Sequence, residues 1–192
     1  MTAALPAAPV AGPRRQLFVG TALAGVAGTM LIGGMCAIWL LLRERAVDAG
    51  LRFPSDYIIT EVASNVMLMT IFTLCLFAQW AVYSGHRGDR AHAALALGVV
   101  GMLAIAFING QAFVWHDMGV SIRDKSYGAL FYAMTGTMTA LVIIGLVYTV
   151  VTAFRALGGR LNDPEILSAH ALYWYFTATA YSAVWFVVYV TK

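Results

Sequence analysis

Proton transfer, haem ligation and most metal binding inside a bilayer need an ionisable or imidazole side chain at depth. This sequence has nine Asp and Glu, twelve Lys and Arg and four histidines, and none of them falls within its five longest apolar stretches. His86, His92, His116 and His170 lie between those stretches, where solvation is the expectation. The remaining candidates are softer. Thioethers at Met30, Met35, Met67, Met69, Met102, Met134 and Met138 suit copper(I) in principle, but they are scattered without a paired spacing, a pattern of flexible core filling. Cys36 and Cys75 lie within stretches and read as small buried apolar residues, not as a disulfide framework. Glu61 opens the second stretch, where a carboxylate suits a helix N-terminus. The sequence therefore assigns no catalytic, cofactor-binding or metal-ligating residue to this chain.

Membrane helices must carry all of these groups. Of the 192 residues, 61% are apolar and 11% charged, against roughly 25% charged in an average soluble domain, and the mean hydropathy is +0.78. The stretches cover residues 17–42, 62–85, 93–115, 127–154 and 171–191. Each reaches the ~20 residues that a helix needs to cross a hydrocarbon core. Strands would need only about 9–11 residues and would alternate polar with apolar positions. These runs are apolar all round, so the predicted fold class is an all-α membrane protein, a bundle of five transmembrane helices. The first stretch is too long for a cleaved signal peptide and runs into Arg43 without a small-residue cleavage site, so it reads as an uncleaved anchor. Residues 1–16 read as a disordered leader, and residues 17–192 as a single transmembrane domain, since the connections leave no room for a soluble one.

Arg14, Arg15, Arg87, Arg90, Arg155 and Arg160 fall on the amino-terminal side, and Arg43, Arg45, Arg52, Arg123, Lys125 and Lys192 on the other, so the positive-inside rule ties. Acidic residues lean weakly toward an inside amino terminus. The formal charge of +3 is spread over every loop, which fits anionic lipid headgroups and not nucleic acid. Trp39, Trp80, Tyr83, Trp115, Tyr127, Tyr173 and Tyr189 sit near stretch ends, as headgroup-level aromatics do.

Two further patterns concern packing. Gly25, Thr29 and Gly33, with Ala24 and Gly28, recur every four residues and allow close approach of a neighbouring helix, in the bundle or in a partner subunit. Asn65, Thr70, Thr73, Asn109, Gln111, Thr135, Thr137 and Thr139 are polar at depth. They suit hydrogen bonds between helices, averaging about 0.6 kcal/mol each, or the lining of a pore.

From Gln111 the residue order becomes specific: Gln111-Ala112, Trp115, Ile122, Asp124, Tyr127-Gly128, Phe131, Thr135-Gly136, then Val142-Ile143-Ile144-Gly145, with Tyr173-Trp174-Tyr175-Phe176 in the last stretch and Gly33-Gly34-Met35-Cys36-Ala37-Ile38-Trp39 in the first. This order resembles subunit III of the haem-copper cytochrome c oxidases, in its short five-helix form. The departures share one theme. At positions where the family pattern is ionisable, this chain has Gly28, Val114, Met138, Leu141, Tyr175 and Ala178. Burying an unpaired carboxylate or imidazole is costly, so losing the set together keeps the interior self-consistent.

The resemblance implies a non-catalytic accessory subunit of a respiratory haem-copper oxidase, or of a related nitric oxide reductase. It implies packing against catalytic subunit I and other oxidase subunits, with haem and copper in the partner and bound phospholipid here. Gly25, Gly28, Thr29, Gly33 and Gly136 are candidate helix-packing or partner contacts, and the resemblance further implies a bacterial cytoplasmic membrane with the amino terminus inside and the carboxyl terminus outside. Two alternatives remain: a free-standing assembly or interaction protein derived from subunit III, and a small oligomeric transporter or channel using Asn109, Gln111 and the threonines of the fourth stretch.

Overall fold

The computed structural model describes residues 15–51, 53, 57–123, 125–159 and 165–191. It contains α1 (Gln16–Asp48), α2 (Glu61–His86), α3 (Arg90–Met118), α4 (Lys125–Leu157) and α5 (Glu165–Trp185), which runs on into a π-helical turn (Phe186–Val190). Most of the expected leader, together with Arg14, Arg52, Asp124, Arg160 and Lys192, lies outside the described residues.

Every apolar stretch is helical, and the helices overrun the stretches at most ends. A helix does not stop where its apolar run stops, because its backbone hydrogen bonds continue into polar surroundings. His86, His92 and His116, expected in loops, are therefore exposed residues of helix ends. His170 departs further: it lies inside α5, wholly buried.

Four helices, α1 to α4, are long and apolar enough to cross a membrane; α5, expected as a fifth span, does not meet the same measure. Its composition explains the difference. Glu165, His170 and a run of tyrosines and threonines lower its hydropathy, while α1, α2 and α4 all pack against it, so those polar groups meet protein. The other principal seams are α2 on α3 and α3 on α4. Outward faces are apolar, with Met30, Leu76, Met102 and Phe154 each at least 70% exposed, as suits a surface bathed by hydrocarbon.

The turn between α2 and α3 is three residues long. Gly88 takes a positive φ of 73°, which glycine adopts at no steric cost, and Asp89 then caps α3 by accepting the His92 amide at 3.1 Å. That hydrogen bond holds the Asp89 carboxyl below its ordinary pKa. A depressed folded-state pKa means that the cap is present above the unfolded-state pKa and is lost as pH falls through the folded one. Amide exchange at the start of α3 should therefore accelerate on acidification, and Asp89→Asn should remove that dependence while keeping the cap.

Candidate functional site

Among the described residues, buried polar side chains are most numerous on α4, with Thr135, Thr139, Thr149 and Thr152, and α5 adds His170 and Thr177. Near the start of α5, Glu165 accepts the Phe18 amide of α1 at 2.9 Å, so a carboxylate satisfies one of the orphan donors of another helix's first turn. One turn further, His170 Nε2 lies 2.8 Å from Thr149 Oγ1 of α4 and 3.1 Å from Trp174 Nε1, and Trp174 Nε1 lies 3.2 Å from Thr149 Oγ1. The indole can only donate, and the Thr149 hydroxyl also donates to the Gly145 carbonyl at 2.8 Å. Thr149 is thus the hub of a buried polar lock between α4 and α5. Tyr148 closes it edge-on, its ring centroid 5.4 Å from that of His170. His170, expected to be solvated between apolar stretches, is instead buried within the bundle. The signal available in sequence was the i, i+4 spacing of His170 and Trp174, which puts both on one helix face.

The motif residues are packing points. A Cβ on Gly128 would overlap the carbonyl oxygen of Ser121 in the turn before α4, and one on Gly145 would lie 2.8 Å from both Trp174 and Tyr173. Phe131 is fully buried. Thr135 accepts the Trp115 indole N–H at 2.9 Å while donating to Phe131 O, and Tyr173 donates to Leu141 O at 2.7 Å. Gly85 and Gly25 make the same kind of room for Leu167 and Phe176, so glycines of α1, α2 and α4 all set their distance from α5.

Of the small residues of α1, Gly25 is buried against Phe176, and Thr29 turns its hydroxyl back to the Gly25 carbonyl. Gly28, Gly33 and Gly136 have open space where a side chain would begin. Among the positions that are ionisable in the family pattern, Val114, Met138 and Ala178 are buried and Leu141 is half-buried. Tyr175 is 39% exposed and donates to Gln79 Oε1 at 2.7 Å.

The threonines were expected to join helices or line a pore. Thr70, Thr73, Thr137 and Thr139 instead bond the carbonyl four residues back in their own helix. A hydroxyl on a short side chain reaches its own turn first. Among the described residues, the side-chain donors that reach another helix include Trp115, Tyr173, Trp174, Tyr175 and Trp185, together with the Cys75 thiol, which donates to the Trp174 carbonyl at 3.5 Å. Trp39, Tyr127 and Tyr189, near stretch ends, are buried against protein, where neighbouring helices offer aromatic partners. Trp39 and Tyr127 pair at 5.2 Å. Asn109 is exposed while Gln111 is buried, so these two side chains face different surroundings.

At the end of the bundle where α2 begins, Glu61, Ser64, Asn65, Trp185, Tyr189 and Val190 surround a groove of about 360 Å³. A second groove of about 310 Å³ continues from Asn65 along Val66, Met69, Thr70, Thr73 and Leu103. Asn65 accepts the Trp185 indole N–H at 3.0 Å and belongs to both, so a polar mouth leads into a mostly apolar trough.

Residues 49–192 match the family model described as cytochrome c oxidase subunit III. Among curated proteins, the chain is 28% identical over 153 residues to cytochrome c oxidase subunit 3 of Strongylocentrotus purpuratus, covering 75% of this chain and 56% of the relative. It is 33% identical over 114 residues to that of Bos taurus, covering 58% and 42%, and 26% identical over 149 residues to that of Rhizopus stolonifer, covering 76% and 52%. The chain spans about half the length of these relatives.

Proposed function

The chain belongs to the cytochrome c oxidase subunit III family, and from that premise we propose that it is a non-catalytic accessory subunit of a respiratory haem-copper oxidase. The observation that carries this reading is that Tyr127, Gly128, Phe131, Thr135 and Gly145, inside the matched region, are the residues on which the bundle packs. What is kept is the scaffold. A subunit of this kind supplies a shaped helical surface and leaves electron transfer to haem and copper held by its partner.

In this reading α5 is the fifth membrane span, since with its π-helical turn it extends from residue 165 to 190, about 39 Å at the usual rise. The partner is catalytic subunit I with other oxidase subunits, and Gly28, Gly33 and Gly136 are contact points, supported by the room left beside them. The joined grooves at Asn65 hold a phospholipid, headgroup at the Glu61 mouth and acyl chain along Met69 and Leu103. The membrane is a bacterial cytoplasmic membrane, and the lean of the acidic residues supports an inside amino terminus.

Purification of the tagged chain from its native membrane in mild detergent tests this. A larger haem-containing subunit should co-elute, and the separated chain should show no haem absorbance. Elution of the chain alone would overturn the proposal. Gly136→Leu refines it: the isolated chain should keep its thermal midpoint, since nothing in the bundle lies within 4 Å of the added Cβ, while recovery of the partner should fall several-fold.

A further inference from the structure

Four buried polar side chains meet at the end of the bundle where α3 finishes and α4 begins. They are Gln111 of α3, Tyr127 of α4, Tyr181 of α5 and Tyr189 of the π-helical turn. Gln111 and Tyr181 are 1% exposed, Tyr189 3% and Tyr127 6%. Tyr189 is the common neighbour, close enough to interact electrostatically with Tyr127, Tyr181 and Gln111. Its hydroxyl and the Gln111 amide nevertheless fall short of hydrogen-bond geometry. None of the three hydroxyls, nor either polar atom of the Gln111 amide, has a hydrogen-bond partner among the described residues.

The π-helical turn is what assembles this group. Tyr181 and Tyr189 are eight residues apart, and a regular α-helix would leave them about 80° apart around its axis. Hydrogen bonding to the fifth residue unwinds the last turn and brings Tyr189 back toward the face of Tyr181. The walls are aromatic, with Phe107 against Tyr181 at 4.8 Å between centroids and Trp39 against Tyr127 at 5.2 Å.

An orphaned buried hydroxyl or amide costs roughly 1–3 kcal/mol, and five such atoms in one place point to a ligand that satisfies them together. The groups are neutral and mix donors with acceptors, so they suit a neutral molecule that both donates and accepts; an ion would find no opposite charge among the four. Five unpaired atoms at about three hydrogen bonds per buried water correspond to about two water molecules. We propose that Gln111, Tyr127, Tyr181 and Tyr189 form an internal water-binding site, exchanging with bulk through the groove that Tyr189 shares with Glu61.

Radiolytic hydroxyl labelling of the purified protein in ¹⁸O-water, read by mass spectrometry, tests the site, because radicals formed from bound water modify adjacent rings however deeply buried. Tyr181 and Tyr189 should incorporate label several-fold faster than Trp174, which is equally buried but hydrogen-bonded within the chain. Gln111→Leu should reduce that labelling. Rates at both tyrosines no higher than at Trp174 in the unmodified protein would overturn the proposal, whether or not the variant folds.

Discussion

Gly128→Ala should be the most damaging single-methyl change in this protein. The new Cβ would meet backbone, the Ser121 carbonyl oxygen in the turn between α3 and α4, and a carbonyl held in a tight turn cannot rotate away as a flexible side chain can. That turn is itself anchored. Gly119 ends α3 at a positive φ of 57°, Val120 is buried, and the Tyr132 hydroxyl holds the Val120 carbonyl at 2.9 Å. Overpacking of this kind typically costs about 1–3 kcal/mol. In detergent, the thermal midpoint followed by tryptophan fluorescence should drop markedly for Gly128→Ala. Gly98→Ala is the matched control. Its Cβ meets nothing within 4 Å, and replacing a mid-helix glycine should gain about 0.5–1 kcal/mol. Equal midpoints for the two variants would refute the claim that Gly128 is required by backbone contact.

The second large effect is expected at Trp174. Its ring is fully buried, fills the space beside Gly145 and donates to the Thr149 and His170 pair. Trp174→Ala should cost about 3–5 kcal/mol, the usual range for emptying a buried aromatic site. Trp174→Phe separates the contributions: most of the packing is kept while the indole donor is lost, at about 1–3 kcal/mol. Thr149→Val should approach the Phe variant, and the double variant should cost less than the sum, since both changes remove the same hydrogen bonds. Strict additivity would show that the three side chains do not act as one network.

Much of the architecture follows from the order of residues. Uninterrupted apolar runs of the right length can only satisfy their backbone groups in lipid as helices, so five helices were readable. The motif around Tyr127, Gly128, Phe131 and Thr135 was readable as a family resemblance, though not the reason for it: the requirement at Gly128 comes from a carbonyl seven residues earlier, in another element. The aromatic residues at stretch ends were readable by position but not by contact. Tyr and Trp suit a headgroup zone and a packed interior equally, and only the neighbours choose between them.

Sequence by itself determined a membrane-embedded helical bundle of the subunit III family, because hydropathy and spacing are properties of a chain read along its length. Tertiary structure alone decided where the polar side chains are used. It buried His170 with Thr149 and Trp174, turned the threonines onto their own helices, placed α5 among three others, and through one π-helical turn gathered Gln111 with three tyrosines. Each of these depends on which helix lies beside which, and a sequence periodicity names a face without naming what that face meets.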